Sequence, residues 1–242
     1  MENCVFEDIL GNQIYLPYND STKRILNEYL PPVGNEVKFA KELTDYLKFL
    51  FEGYEEKKFT VLDIGANGGM FSLFCAPVCS TVYAIEPSSV LCGNIRQFSK
   101  DYNNIKICNS AISNQDGMIN FFFFPDCTGQ STIHNRAKAK NAEAIKLTVP
   151  SYTIKSFLDK YKIEHLDICK MDIEGEEVNI FTDEVIEELE PLVDRYWVET
   201  HHTMHINGKL MDQNFAEISQ RFVKHGYKIH VDNDHFGFIA YK

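Results

Sequence analysis

Asp172, Glu174, His201 and His202 are the residue types that proton transfer from a bound hydroxyl requires. A carboxylate or imidazole held against a hydroxyl accepts or orients its proton, and a histidine titrates near neutrality without help from its surroundings. Asp172 is the first choice. Together with Lys170 it interrupts an apolar run (Leu166, Ile168, Met171, Ile173) that otherwise suits a buried strand. A structural pair with Lys170, or a cap on a helix starting near Gly175, would also put an acid there, and Glu174 shares the capping alternative. His201 and His202 follow a second apolar run, where a pair of imidazoles points to a substrate contact more than a lone surface or core histidine would. Glu199, His201, His202 and His205 could also join Asp172 around a divalent metal. Spacing along a loop is weak evidence for that, so no metal ligand is assigned and a divalent ion stays the minor alternative.

A second group lies further upstream. Val61-Leu62-Asp63-Ile64 reads as a buried strand, Gly65, Ala66, Asn67, Gly68 and Gly69 as the turn after it, and residues 81–86 as a strand ending in Glu86. A strand, a glycine turn, a helix and an acid-tipped strand form a site for an adenosine-containing ligand. The glycines admit close backbone approach, and the strand-end acid accepts hydrogen bonds from both ribose hydroxyls. A dinucleotide site would normally show Gly-x-Gly-x-x-Gly, which lets a pyrophosphate rest on the helix N-terminus. Here Asp63 enters the turn and that fingerprint is incomplete. An acid there opposes a pyrophosphate but suits the ammonium and sulfonium groups of S-adenosylmethionine, which is therefore the expected cofactor.

These side chains need a scaffold that brings strand ends together. After the first two strands, further strands are expected at 105–112, 166–173, 195–199, 228–231 and 237–241, and helices near 88–101, 154–161, 178–189 and 214–225. Alternating strands and helices imply an α/β doubly wound, mostly parallel seven-stranded sheet covered on both faces. The last two strands, separated only by residues 232–236, must form an antiparallel hairpin. Such a Rossmann-like sheet is the class I methyltransferase arrangement. Two more strands, at 119–124 and 145–149, flank a polar stretch from Asp126 to Glu143 that includes Arg136, Lys138 and Lys140. It is read as a mobile loop at the cleft mouth, a lid or substrate contact, against the alternative of a solvated hairpin loop.

Residues 1–50 are read as an N-terminal segment and 51–242 as the cofactor-dependent domain. Pro31-Pro32-Val33-Gly34 stops any regular element, and apolar residues between 36 and 51 recur at helical spacing. That helix would cover one side of the cofactor cleft or simply pack on the sheet. In the 242-residue chain, 44% hydrophobic and 13% aromatic residues suffice for a full core, while a net charge of −11 argues against nucleic acid as the main partner. Seven scattered cysteines, without a Cys-x-x-Cys pair, suit a reducing compartment. Cys75 and Cys79 are expected to share a helix face and to pack there. No secretory signal is seen, and no apolar run approaches the ~18 residues a bilayer requires. A soluble, cytoplasmic protein without membrane insertion is expected, and its oligomeric state is not legible.

The block Val61-Leu62-Asp63-Ile64-Gly65-Ala66-Asn67-Gly68-Gly69, then Ala84-Ile85-Glu86-Pro87, resembles the FkbM-type family of S-adenosylmethionine-dependent methyltransferases. The likeness continues through Asn109-Ser110-Ala111-Ile112-Ser113, Asp116-Gly117 and Thr153-Ile154-Lys155-Ser156-Phe157-Leu158. It ends in Asp167-Ile168-Cys169-Lys170-Met171-Asp172-Ile173-Glu174-Gly175-Glu176-Glu177 and Val198-Glu199, so that residues 60–230 follow the family's order. The Lys-x-Asp-x-Glu-Gly block with its following acid is the specific part. The resemblance implies O-methylation of a hydroxyl on a sugar, glycan or small natural product. It implies that Asp63, Gly65, Asn67 and Gly68, with Ala66 between them, line the methionine part of the cofactor. Glu86, followed by Pro87, would hold the ribose, Ser110, Ala111 and Ile112 would lie along the adenine, and Asp172 and Glu174 would face the reacting centre, with Asp172 also touching the cofactor. Residues 1–50 and the 125–144 loop match nothing in the family pattern and leave the acceptor open. Two other readings compete: a nicotinamide oxidoreductase, which needs the phosphate turn missing here, and a non-catalytic S-adenosylmethionine-binding protein. N-methylation would call for an Asn-Pro-Pro-Tyr-type motif after the fourth strand, and none is present.

Overall fold

The computed structural model describes residues 3–17, 48–53, 55, 57–134, 143–201, 211–231 and 237–242. Its first elements were not foreseen: β1 (Asn3–Glu7) and β2 (Gln13–Pro17) pair as an antiparallel hairpin. The hairpin turn winds around buried Asp8, whose carboxylate accepts the Leu10 and Asn12 amides. Of the helix expected at 36–51, only residues 48–51 are described, and 48–50 are helical; the rest, with the Pro-Pro-Val-Gly stretch, lies outside the described residues.

The main sheet takes β3 (Phe59–Ile64), β4 (Cys79–Ile85) and β5 (Ile105–Cys108) from the first half of the chain. Its strand order is β11-β12-β10-β9-β3-β4-β5, completed by β9 (Leu166–Met171), β10 (Val193–Glu199), β11 (Lys228–Val231) and β12 (Gly237–Tyr241). Strands β5, β4, β3, β9 and β10 run parallel, while β12 lies antiparallel between β10 and β11. The expected hairpin pairing is thus present, although residues 232–236 lie outside the described residues.

Both faces of the central strands are buried, which is why they read as near-continuous apolar runs. The period-two alternation of a strand then sorts side chains between two cores. Leu62, Ile64, Cys169 and Met171 pack with Phe157, Phe181 and Tyr196 on one face, while Val61, Ile168 and Trp197 pack with Phe74 and Val78 on the other. The helices are α1 (Met70–Cys75), α2 (Ser89–Phe98), α3 (Ile154–Tyr161), α4 (Glu177–Ile180), α5 (Asp183–Leu189) and α6 (Met211–Lys224). Ser88 and Thr153 cap α2 and α3, accepting the Leu91 and Ser156 amides.

Three expectations need correction. The strand expected at 105–112 is two strands, because Ser110 N–H turns back onto the Cys108 carbonyl and sends β6 (Ala111–Ile112) away from the main sheet. There β6 joins β7 (Gly117–Phe123) and β8 (Ile145–Tyr152) in a three-stranded sheet, order β6-β8-β7. The helix expected at 178–189 is split into α4 and α5, since Thr182 is extended and caps the second piece through the Val185 amide. Cys79 does not share a helix with Cys75: Ala76–Val78 forms a 3-10 turn containing Pro77, and Cys79 opens β4. Both cysteines are nonetheless packed in the core. No helix among the described residues is long and apolar enough to cross a membrane.

Candidate active site

The turn from β3 to α1 and the end of β4 are locked together by backbone. The Gly65 and Ala66 amides both donate to the Ile85 carbonyl, at 3.1 and 2.9 Å. Gly65 has φ 78°, and a Cβ there would stand 1.8 Å from the Asp172 carbonyl oxygen. Only glycine lets β3 and β9 end in such contact. Asn67 is also left-handed, at φ 48°, and this aims its N–H at Glu86 Oε2, 3.0 Å away. The Ser88 N–H meets the other oxygen at 2.7 Å. Burial pushes the Glu86 carboxyl up to about 8, against the pull of the Ser88 and Asn67 amides.

Asp63 is fully buried. Its Oδ2 accepts the Ser72 hydroxyl at 2.6 Å, and its Oδ1 makes no hydrogen bond, with Lys170 Nζ 3.4 Å away. Gly68 is buried in the turn. The carbonyls of Glu86 and Pro87 both accept from the Asn109 amide, which fastens the β5–β6 corner beside β4. Ser110 is buried at that corner with its hydroxyl unpartnered, and Ala111 and Ile112 are buried in β6.

The ends of β9 and β10 gather the second group. Buried Lys170 lies 3.3 Å from Asp172 Oδ2 and donates to the Gly65 carbonyl, so the expected Lys170–Asp172 pair exists and also reaches Asp63. After β9 the chain turns through Glu174 at φ 61° and Gly175 at φ 117°. Glu177, not Glu174, satisfies that turn: its carboxylate accepts the Ile173 and Gly175 amides at 3.1 and 2.9 Å. His201 sits against this structure, with Nδ1 3.1 Å from Glu177 Oε1. Its Nε2 faces Asp172 Oδ1 at 3.6 Å, Glu174 Oε1 at 3.6 Å and Glu199 Oε1 at 3.5 Å. His202 and His205 lie outside the described residues.

Charge in this group follows from the packing. Burial, then the neighbouring Glu199, raises the Asp172 carboxyl to about 6, while Lys170 and His201 hold it down. Burial alone would lower His201, but the Glu177 and Glu199 carboxylates and the charge of Asp172 outweigh it and hold the imidazole well above its usual range.

Part of the polar stretch after β7 belongs to both groups. The Thr128 hydroxyl donates to Asn67 Oδ1 at 2.9 Å, and the Thr132 hydroxyl donates to the Glu174 carbonyl at 2.9 Å. His134 Nε2 lies 3.3 Å from the Gly175 carbonyl and from Glu176 Oε2. Residues 128–134 are therefore packed on the two strand-end turns and are not a solvated loop, while Arg136, Lys138 and Lys140 lie outside the described residues. Sequence reasoning missed Ser72 and the role of Glu177, and it placed the stretch with Thr128 and Thr132 at the cleft mouth without assigning either hydroxyl a bond. For Glu177 a signal existed in the acid following Glu174-Gly175; for the hydroxyls there was none.

A sheet in this strand order, with β12 antiparallel beside a parallel core and acids at the ends of β3, β4 and β9, is that of a class I, Rossmann-like methyltransferase. The chain belongs to the FkbM methyltransferase family: the methyltransferase FkbM domain matches residues 63–229. It is accordingly an S-adenosylmethionine-dependent methyltransferase. No curated protein matches it significantly. Among solved structures, the Methanococcus jannaschii fibrillarin, a pre-rRNA processing protein, is 12% identical with a TM-score of 0.50, over 99% of this chain and 82% of its own. Magnesium protoporphyrin IX methyltransferase from Synechocystis, solved with S-adenosylmethionine bound, is 14% identical with a TM-score of 0.49, over 92% of this chain and 90% of its own. A putative caffeoyl-CoA O-methyltransferase from Staphylococcus aureus is 13% identical with a TM-score of 0.49, over 90% and 88% respectively.

The residues present suit the cofactor. Asp63 Oδ1 is a buried carboxylate oxygen short of a donor, and Glu86 is a buried carboxylate already oriented by two amides.

Proposed function

We propose that this methyltransferase acts on oxygen, methylating a hydroxyl of a sugar, glycan or small natural product. The observation that carries this reading is Asp172, a carboxylate at the end of β9 whose backbone touches the Gly65 turn and whose side chain opens toward Glu174, Glu199 and His201. When bound, S-adenosylmethionine supplies a methyl group on a sulfonium, and the transfer is an in-line displacement that depends mainly on positioning. In this reading Asp63 receives the ammonium of its methionine part along the Gly65-Ala66-Asn67-Gly68 turn. Glu86 takes the ribose hydroxyls beside Pro87, and Ser110, Ala111 and Ile112 flank the adenine. Asp172 receives the acceptor hydroxyl, with Glu174 and His201 beside it; His202 follows directly in the chain and would border the acceptor.

Residues 1–50 would then be an addition to a 51–242 catalytic domain, bordering the acceptor with the segment after β7. The buried thiols of Cys75, Cys79, Cys92, Cys108 and Cys169 suit a cytoplasmic enzyme. The test is transfer of a labelled methyl group from S-adenosylmethionine to a panel of sugars, glycans and polyhydroxylated small molecules. Product carrying an O-methyl group is expected. Transfer confined to amines, or to none of the panel while proteins or nucleic acids are labelled, would overturn the reading.

A further inference from the structure

We propose that Asp172, Glu199 and His201 form a divalent-cation site that receives the acceptor hydroxyl. This deepens, and rests on, the O-methyltransferase reading. One oxygen of each carboxylate and a nitrogen of the imidazole lie within 4.8 Å of one another. They converge beyond the carboxyl ends of β9 and β10, where ligands bind in a doubly wound sheet.

Two observations separate this group from an ordinary acidic patch. His201 is held by a residue outside the ligand set. Glu177 is 1% exposed, is tied by the Ile173 and Gly175 amides, and takes Nδ1 at 3.1 Å. A carboxylate behind one imidazole nitrogen is how metal-ligating histidines are oriented, and here it turns Nε2 toward the other two ligands. The spacing is the second observation. Nε2 stands 3.6 Å from Asp172 Oδ1 and 3.5 Å from Glu199 Oε1, long for hydrogen bonds. Ligand atoms about 2.0–2.2 Å from a common ion lie about 3.0–3.5 Å apart, so the imidazole nitrogen already stands within a few tenths of an ångström of ligand spacing from each carboxylate.

Two carboxylates and one imidazole suit a hard-to-borderline dication, manganese or magnesium before copper. The cation would bind the acceptor oxygen and make its proton easier to lose. That proton passes to Glu174, whose carboxylate stands 3.6 Å from the same Nε2. The oxygen then forms its bond to the methyl carbon as the carbon–sulfur bond breaks and sulfur keeps the electron pair.

The experiment is a manganese titration of the EDTA-treated full chain, followed by the electron paramagnetic resonance of free Mn²⁺, with S-adenosylmethionine melting shifts on the same samples. One bound ion is expected. His201→Gln and Glu199→Gln should each weaken it at least tenfold, and Glu177→Gln, which disturbs the support of the ring and of the turn after β9, by about tenfold or more. Partly exposed Glu199 keeps the test valid if His201→Gln does not fold. A second trio, His165, Asp167 and Asp194, lies within similar distances, so His165→Asn serves as the control and should leave the titration unchanged. Absence of binding at millimolar manganese, or loss of binding in His165→Asn only, would overturn the site. A melting shift with S-adenosylmethionine but no bound manganese rejects the site and keeps the methyltransferase reading. Bound manganese lost in His201→Gln supports the site even if the methyltransferase reading fails.

Discussion

At the end of β4 one buried carboxylate, Glu86, is met by two backbone amides; past the ends of β9 and β10 three carboxylates, Asp172, Glu174 and Glu199, are met by one imidazole. The first arrangement is held by main chain and leaves one acid to be satisfied by a ligand. The second sets like charges against one another and leans on Lys170 and His201 for balance. Backbone amides are fixed dipoles that cost nothing to reorganise, so the first region suits tight, unchanging recognition of a cofactor. The second is held together by side chains whose charges depend on what enters. Chemistry belongs where side chains can shift against one another, and binding where main chain fixes the geometry.

Gly65→Ala would break both regions at once, and it is the largest effect expected. The added Cβ would lie 1.8 Å from a backbone oxygen of Asp172, at a residue with φ 78°. Neither strand end can yield without disturbing β3–β9 pairing. A loss of more than about 3 kcal/mol in urea unfolding is expected, with no melting shift from S-adenosylmethionine. A near-neutral result would show that the two regions are not in contact.

Asp172→Asn would separate them. It keeps the shape of the β9 end and removes a charge from the second region only. Turnover should fall by about 10²-fold or more, because the acceptor hydroxyl is no longer held in place for attack on the methyl group. The S-adenosylmethionine melting shift should change far less. If cofactor affinity falls as far as turnover, Asp172 belongs to the binding region and the contrast is mistaken.

Glu86→Gln would act on the first region and carries a sign in pH. In the folded, cofactor-free protein the Glu86 carboxyl is raised to about 8 from an ordinary 4.5, so the folded state holds the proton more tightly than the unfolded chain. Stability from this group is complete below about 4.5 and is lost as pH rises toward 8. Wild type should therefore lose stability relative to Glu86→Gln between pH 5 and 8, by a few kcal/mol at most. Ribose hydroxyls donate to the ionised form, so cofactor binding should release a proton and tighten as pH rises through this range. At pH 8 the stability gap between wild type and variant should be smaller than at pH 5, while the variant binds S-adenosylmethionine about 10–100-fold more weakly. Calorimetry in buffers of different ionisation enthalpy reads the released proton; no proton release would contradict the assignment.

The same contrast explains what was legible in the chain. Asp63, Gly65, Asn67 and Glu86 lie on two adjacent strand ends, and their spacing is fixed by one strand–turn–helix–strand unit, so local pattern was enough. Asp172 could be seen because an acid breaks an apolar run. The grouping of Glu199 and His201 with Asp172 could be raised from their places at strand ends, but the support of His201 could not, since it comes from Glu177, 24 residues away in sequence, and depends on where β10 lies beside β9. The 105–112 strand was overextended because alternating apolar residues continue past Ser110, while the turn is made by a backbone bond that composition does not announce. The β1–β2 hairpin was missed for a similar reason: its turn depends on the Asp8 carboxylate folding back on its own backbone.

The smallest expected effect is also the one that tests whether the segment after β7 joins the two regions or serves one. Thr128 and Thr132 are both buried, lie four residues apart, and each gives one hydroxyl hydrogen bond: Thr128 to Asn67 on the cofactor turn, Thr132 to the Glu174 carbonyl. Valine keeps their shape and removes the hydroxyl, so each replacement should cost about 0.5–1.5 kcal/mol, a few-fold to about tenfold in whichever constant depends on the bond. Thr128→Val should weaken S-adenosylmethionine binding with little change in turnover at saturating cofactor, because it loosens Asn67 and through it the amide that orients Glu86. Thr132→Val should lower turnover and leave the melting shift intact, because it loosens the Glu174 turn and the His134 amide held by the same hydroxyl, and neither bears on Asn67. If both variants move both quantities, the segment is one rigid clasp and the two regions respond as a unit. If the effects separate, each region has its own support, and the segment is a bridge whose two ends can be tuned independently.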